Sequence, residues 1–209
     1  MKKIIFLFAI LITHHVSAQK DFIKNNRGGI FSLGNRSTIS IFNDGIAGNL
    51  GTGLGGQFRI QFSDRVNTDW FADYITGNEG NYANRTDAHI GWSVLYYLQK
   101  PKKDLPKIQP YVLVGHCFDN SRISENGNSN NFINKGWSSA VQAGTGMHFN
   151  VSPRFDISTT AQYMIHIGAD VHSSKNESGA VIFTKDKGVS LEGHLLFNVS
   201  LNYKIKDLW

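Results

Sequence analysis

The chain has 209 residues, enough for one domain, and 18% of them are charged against roughly 25% in ordinary soluble domains. Twenty-one glycines, 12% aromatics and a single cysteine exclude a disordered chain, a disulfide framework and a cysteine-based zinc site. The formal net charge is +5 and the mean hydropathy −0.24, too polar for a helical membrane protein.

The first segment reads as an address. Lys2 and Lys3 precede an apolar run from Ile4 to Ile12, and Val16-Ser17-Ala18 offers small residues to a signal peptidase. This pattern predicts a secretory signal peptide over 1–18, cleaved before Gln19. The apolar run is far shorter than the roughly twenty residues a membrane helix needs. No cysteine follows it to carry a lipid anchor. Removal of the leader lowers the net charge to +3, so the basic balance is not a nucleic-acid footprint and no nucleic-acid partner is expected. Residues 19–29 read as an N-terminal periplasmic segment and 30–209 as a single β-barrel domain.

Beyond the leader the pattern has a period of two, the mark of strands with two unlike faces. Residues 30–42 place Ile39 and Ile41 opposite Arg36, Thr38 and Ser40. Phe58, Ile60 and Phe62 oppose Gln57, Arg59 and Gln61. Residues 68–77 set Trp70, Ala72 and Tyr74 against Asp69 and Asp73, although Phe71 and Ile75 break the polar side. In 86–99, Ile90, Trp92, Val94, Tyr96 and Leu98 oppose His89, Gly91 and Ser93. Residues 108–118 are apolar on both parities, which leaves their orientation open. Residues 136–150 set Trp137, Val141, Ala143, Met147 and Phe149 against Ser138, Gln142 and His148. Residues 154–168 set Phe155, Ile157, Ala161, Tyr163, Ile165 and Ile167 against Asp156, Ser158, Gln162 and His166. The last run, 189–205, carries Leu195, Phe197, Val199, Leu201, Tyr203 and Ile205 on one parity and Glu192, His194, Asn198 and Ser200 on the other, with Leu196 the exception.

These are eight predicted strands, several long enough to cross a bilayer at a tilt. Connections at 63–67 and 151–153 are short, 100–107 is intermediate, and 43–51, 77–85, 119–135 and 169–187 read as long polar loops. Short turns at one end and long loops at the other belong to outer-membrane barrels. A soluble eight-stranded barrel would carry many lysines and glutamates outward. Here the polar parity is mostly Ser, Gly, Asn, Gln and His, while Trp92, Trp137, Phe149, Phe155 and Tyr203 are placed to form interfacial girdles. The expected fold is all-β: an eight-stranded antiparallel up-and-down transmembrane barrel.

The stretches Pro110-Tyr111-Val112-Leu113-Val114-Gly115, Gly144-Thr145-Gly146-Met147 and Val151-Ser152-Pro153-Arg154-Phe155 carry a family likeness. With this architecture, the chain resembles the small outer-membrane β-barrel proteins of Gram-negative bacteria, of the OmpA-transmembrane-domain and OmpX kind. Its Asn- and Lys-rich loops resemble the Bacteroidetes versions. Trp209 keeps the parity of Tyr203 and Ile205, similar to the C-terminal aromatic signal read by barrel-assembly machinery. The resemblance implies residence in the cell envelope, outer-membrane lipids and lipopolysaccharide as surroundings, a monomer, and no appended peptidoglycan-binding domain.

Within that frame little chemistry is encoded. Gly51 to Gly56 formally matches G-x-G-x-x-G but opens an alternating strand rather than a helix, so no dinucleotide site follows. Cys117 reads as inert packing. His166, His194 and Glu192 have the residue types of a zinc site, yet a polar lumen also needs uncharged hydrogen-bonding groups and histidine supplies them. An outer-membrane lipid A deacylase is the enzymatic alternative, and its His-x-Ser pair is not met: His166-Ile167-Gly168 lacks the serine, and His172-Ser173-Ser174 falls in a loop. No catalytic, cofactor-binding or metal-ligating residue is therefore assigned, and no cofactor is expected. The sequence predicts a non-enzymatic protein with a structural or surface-interaction role and a plugged lumen, in which Arg36 or Arg59 pairs with Glu192. The alternative is an adhesin or ligand-binding protein acting through loops 119–135 and 169–187.

Overall fold

A computed structural model of the protein describes residues 28–42, 50–99, 106–169, 171–185 and 193–209. The expected leader, most of the segment that follows it, and Glu192 lie outside the described residues. Ten strands appear in chain order: β1 (Ile30–Phe42), β2 (Leu50–Gln61), β3 (Val66–Glu79), β4 (Ala83–Tyr97), β5 (Ile108–Glu125), β6 (Asn128–Asn150), β7 (Phe155–Ile167), β8 (Val171–Lys175), β9 (Val181–Lys185) and β10 (Gly193–Asp207). Eight of them close a barrel in the order β1-β10-β7-β6-β5-β4-β3-β2, every pair antiparallel. No helix among the described residues is long and apolar enough to cross a membrane; the crossing elements are strands.

Closure follows from the environment. In hydrocarbon an unpaired strand edge leaves N–H and C=O groups unbonded at several kcal/mol each, so the sheet must meet itself. It does so where β1 pairs with β10, from Ile30 opposite Asp207 to Phe42 opposite His194. The alternation read from sequence sets which face is which. Ile39, Ile41, Phe58, Trp70, Tyr74, Ile90, Trp92, Tyr96 and Val199 point out, and their strand neighbours point in. Val199 is 54% exposed on the outer wall and Ser200 5% in the lumen. β5 is also oriented: Tyr111, Leu113, Cys117 and Asp119 are buried, whereas Val112, Val114 and Phe118 are exposed.

Of the segments expected as long loops, 43–51 lies mostly outside the described residues, and the described parts of 77–85, 119–135 and 169–187 hold strands. β3 and β4 pair out to Glu79 and Ala83, reducing 77–85 to a tight turn at Gly80, whose φ of 61° favours glycine. Segment 119–135 is not a loop: β5 and β6 continue as a hairpin to Glu125 opposite Asn128, with Gly127 at φ 80°. Segment 169–187 holds the β8–β9 hairpin, a separate two-stranded sheet. The sequence marks these extensions weakly because their apolar residues, among them Ile123, Ile133, Val171 and Phe183, are few and scattered among Asn, Ser and charged residues rather than set in a long alternation. Asn126-Gly127 is the one hairpin signal such a segment can carry.

The turn at 62–65 and the strand ends at Gly29 and Leu208 close the opposite end, where the Gly29 amide donates to Gln61 O and the Leu208 amide to Gly29 O. Outer-membrane barrels keep short turns in the periplasm, so this turn end is periplasmic and the hairpin end extracellular.

Candidate functional site

The lumen is where polar chemistry collects, in layers set by strand parity. At the turn end Arg59 on β2 reaches across to β7, its Nη2 donating to both Asp156 oxygens at 2.7 and 2.6 Å. Its Nη1 lies 3.0 Å from His148 Nδ1 and donates to Ser158 Oγ at 3.3 Å. Asn202 donates to Asp156 Oδ1 at 3.1 Å, and Gln57 donates to Asn202 Oδ1 at 2.6 Å. The Tyr97 and Tyr111 rings pack against His148, with centroids 5.5 and 4.6 Å away. The space left beside this network is about 10 Å³, at the threshold for one water. A buried guanidinium cannot shed its charge, so this set of acceptors is what makes its burial tolerable.

One step along the barrel, Arg36 Nε lies 3.1 Å from Asp73 Oδ1, and Arg36 Nη1 lies 3.8 Å from Asp69 Oδ2. The guanidinium sits 4.3 Å above the Phe71 ring. Register explains the meeting. Arg36 lies opposite Gly55 and Gly55 opposite Asp73; a β-carbon on Gly55 would stand 2.0 Å from Asp73 Oδ1. The glycine run of β2 is thus the gap through which charges on β1 and β3 touch, and it forms no phosphate cradle.

Phe42, Phe71, Ile75, Cys117, Ala140, Met164 and Leu196 form a buried apolar layer. Phe71, Ile75 and Leu196, which break the parity in sequence, are its members. Toward the loop end lie His89, His166 and His194, all buried, together with Asp119 and Lys135, whose Nζ is 3.5 Å from Asp119 Oδ2. Lys135 faces inward at a bulge, where Ser121 pairs with Gly136 and Arg122 with Asn134. Above them Arg85 pairs with Asp87 at 3.2 Å.

The lumen positions predicted from parity are inward, from Arg36 through Asn198. Among the described residues Arg59 is engaged by Asp156 and Arg36 by Asp73, and the expected pairing with Glu192 lies outside the described residues. Sequence reasoning misses Arg85, Asp119 and Lys135 because they fall in segments that read as loops, and Asp87 because it stands at the very start of the run 86–99. Continuing the parity of His89 back through Asp87 to Arg85, and of Cys117 on to Asp119, finds three of them. His166 is buried in the lumen, where no lipid ester reaches it, and His172 lies in β8. His116 is on the outer wall, bonded to Ser139 Oγ at 2.6 Å.

The outer wall carries an aromatic belt toward the turn end. Phe58 stacks on Trp70 at 5.8 Å, Trp70 lies 6.3 Å from Trp92, and Phe155 lies 4.9 Å from Tyr203. Trp137 is exposed toward the loop end. Aromatic rings at both margins of an apolar band suit the two membrane interfaces.

Solved structures share this architecture. Neisserial surface protein A superposes with a TM-score of 0.57 at 13% identity, over 87% of this chain and 100% of that one. OprG from Pseudomonas aeruginosa gives 0.56 at 17% identity, over 88% and 99%. A major outer membrane protein from Thermus thermophilus gives 0.55 at 11%, over 84% and 99%. At such identities the likeness concerns the fold. No curated protein matches the sequence. The model of the outer membrane protein beta-barrel domain matches residues 4–204. With its closed eight-stranded wall, aromatic belt and polar lumen, the chain belongs to the outer membrane protein beta-barrel domain family and resides in the bacterial outer membrane.

Proposed function

We propose that the protein is a non-enzymatic, monomeric barrel with a lumen closed to solutes, acting at the cell surface through its extracellular hairpins. The observation that carries this is the β8–β9 hairpin. It leaves β7 yet bonds to β3, which is four strands away around the ring and so on the opposite wall. The Ser173 amide and Oγ donate to Glu79 Oε1 at 3.0 and 2.7 Å, and Tyr82 Oη donates to Ser173 O at 3.1 Å. Val171 and Phe183 pack against Ala83, Ile123, Tyr82 and Ile133. The hairpin therefore spans the mouth, above a lumen already filled by ion pairs. An eight-stranded barrel has an interior only wide enough for side chains, which supports the same reading.

Phe132 and Ile182 are exposed on the two hairpins. Planar-bilayer recording on the refolded protein tests closure: brief, small events are expected, and steady openings of porin size would overturn it. Deleting the gene tests the role. Raised detergent sensitivity marks a structural role and reduced cell adhesion a surface-interaction role. Assembly in the membrane is expected to use the C-terminal strand, with Tyr203, Ile205 and Trp209 as its signal.

A further inference from the structure

Three lumen histidines have no part in closing the barrel. His89 on β4, His166 on β7 and His194 on β10 are each 1% exposed, and β4 stands opposite β10 in the ring. His166 and His194 meet through their Nε2 atoms. Their other nitrogens face polar groups: His166 Nδ1 lies 2.8 Å from Asp119 Oδ2, close but not aligned as a hydrogen bond, and His194 Nδ1 lies 3.3 Å from Ser40 Oγ. Asp119 is itself fixed, accepting from Ser138 Oγ at 2.5 Å. Among the described residues His89 has no hydrogen-bond partner on either ring nitrogen.

A buried ring with two unbonded nitrogens is costly and calls for a reason. A proton between the two Nε2 atoms would satisfy His166 and His194, but it leaves His89 unexplained. A metal ion accounts for all three. Imidazoles sharing a tetrahedral ion through bonds of about 2.0–2.1 Å have ring centroids roughly 5 Å apart. The three centroid separations here, 4.3, 5.7 and 6.3 Å, bracket that value. Metal-binding histidines usually direct the second nitrogen to a carboxylate or another polar group, which fixes the ring; Asp119 and Ser40 stand in those places. The floor is apolar, with the Phe42 ring 5.1 Å from that of His194. Nitrogen donors in such a place select zinc and its neighbours over the oxygen-seeking Mg²⁺ and Ca²⁺.

We propose that His89, His166 and His194 form a binding site for a late first-row transition-metal ion of the Zn²⁺ class, oriented by Asp119 and Ser40. Among the described residues no three such side chains already surround one point. The ion takes the His166–His194 pair first, spreading it slightly, and the free ring of His89 turns in as the third nitrogen.

The test uses full-length mature protein with any affinity tag removed, refolded in detergent with and without ZnCl₂, dialysed, and assayed for metal by mass spectrometry. One retained zinc per barrel is expected. Affinity should fall at least 10-fold in His166→Gln and His194→Gln, and about 10–100-fold in Asp119→Asn. His116→Gln on the outer wall should change nothing. Because lumen variants can fail to fold, the parent is also loaded with Co²⁺. The intense visible bands of a four-coordinate nitrogen site support the proposal. Absence of retained zinc, weak octahedral bands only, or equal loss in His116→Gln overturns it.

Discussion

At the turn end of the lumen Arg59 is met by both oxygens of Asp156, by His148 and by Ser158, whereas at the loop end Asp119 serves both Lys135 and His166 while neither nitrogen of His89 is bonded among the described residues. The two layers lie on the same strands and are separated by the apolar layer of Phe42, Met164 and Leu196. The difference lies in the cations. A guanidinium stays charged wherever it is buried, so the fold must surround it with acceptors. In the histidine layer the bond set is incomplete, since both nitrogens of His89 are unbonded among the described residues, and that unmet demand leaves the layer a capacity to bind something else. The turn end therefore reads as a plug and the loop end as a place where a ligand can be accommodated.

The sharpest way to break this contrast is to remove the carboxylate from each layer. Asp156→Ala strands Arg59, whose carboxylate partner among the described residues is Asp156, and should cost about 3–5 kcal/mol of unfolding free energy in lipid vesicles. Asp119→Ala should cost less, about 1–3 kcal/mol, because Asp119 meets Lys135 and His166 through single contacts at 3.5 and 2.8 Å rather than through a two-point clasp on a guanidinium. Equal costs would show that both layers are structural plugs of one kind.

Outside the lumen, the wall should answer to depth rather than to partners. Val199→Arg on the mid-wall of β10 should cost about 2–4 kcal/mol, and Leu98→Arg just beyond the turn-end margin of β4 only about 0–1, both measured by urea titration. The lumen face of the same strand has a different limit. Ser200 is buried among Gln57 and Asn202, so a long side chain there meets packing rather than lipid.

The Arg36–Asp73 contact depends on empty space at Gly55. Gly55→Ala should force the pair apart and lower stability by about 1–3 kcal/mol. An unchanged midpoint would mean that Asp73 re-aims without loss. A small effect is also expected at the seam, where Thr38 Oγ1 donates to Asn198 Oδ1 at 2.7 Å. Thr38→Val should cost about 0.5–1.5 kcal/mol, and a larger loss would mark this bond as essential to closure.

Parity makes much of this molecule legible from its residues alone. The alternation of Phe197, Val199 and Leu201 with Asn198 and Ser200 is enforced by lipid on one side and a polar lumen on the other, and a period of two leaves little freedom in reading it. The number of barrel strands, the facing of all of them except β5, the girdles and the inward placement of Arg36, Arg59, His166 and His194 follow from that local rule. Pairing across the lumen does not. Arg59 finds Asp156 because barrel closure and stagger bring β2 and β7 to one level, a property of the whole ring and of no single strand. The same holds for His89, His166 and His194, which converge from three strands through tilt, and for β8–β9, which pairs outside the barrel wall. Local alternation determined the wall of this protein; the closed ring alone decided which side chains meet inside it.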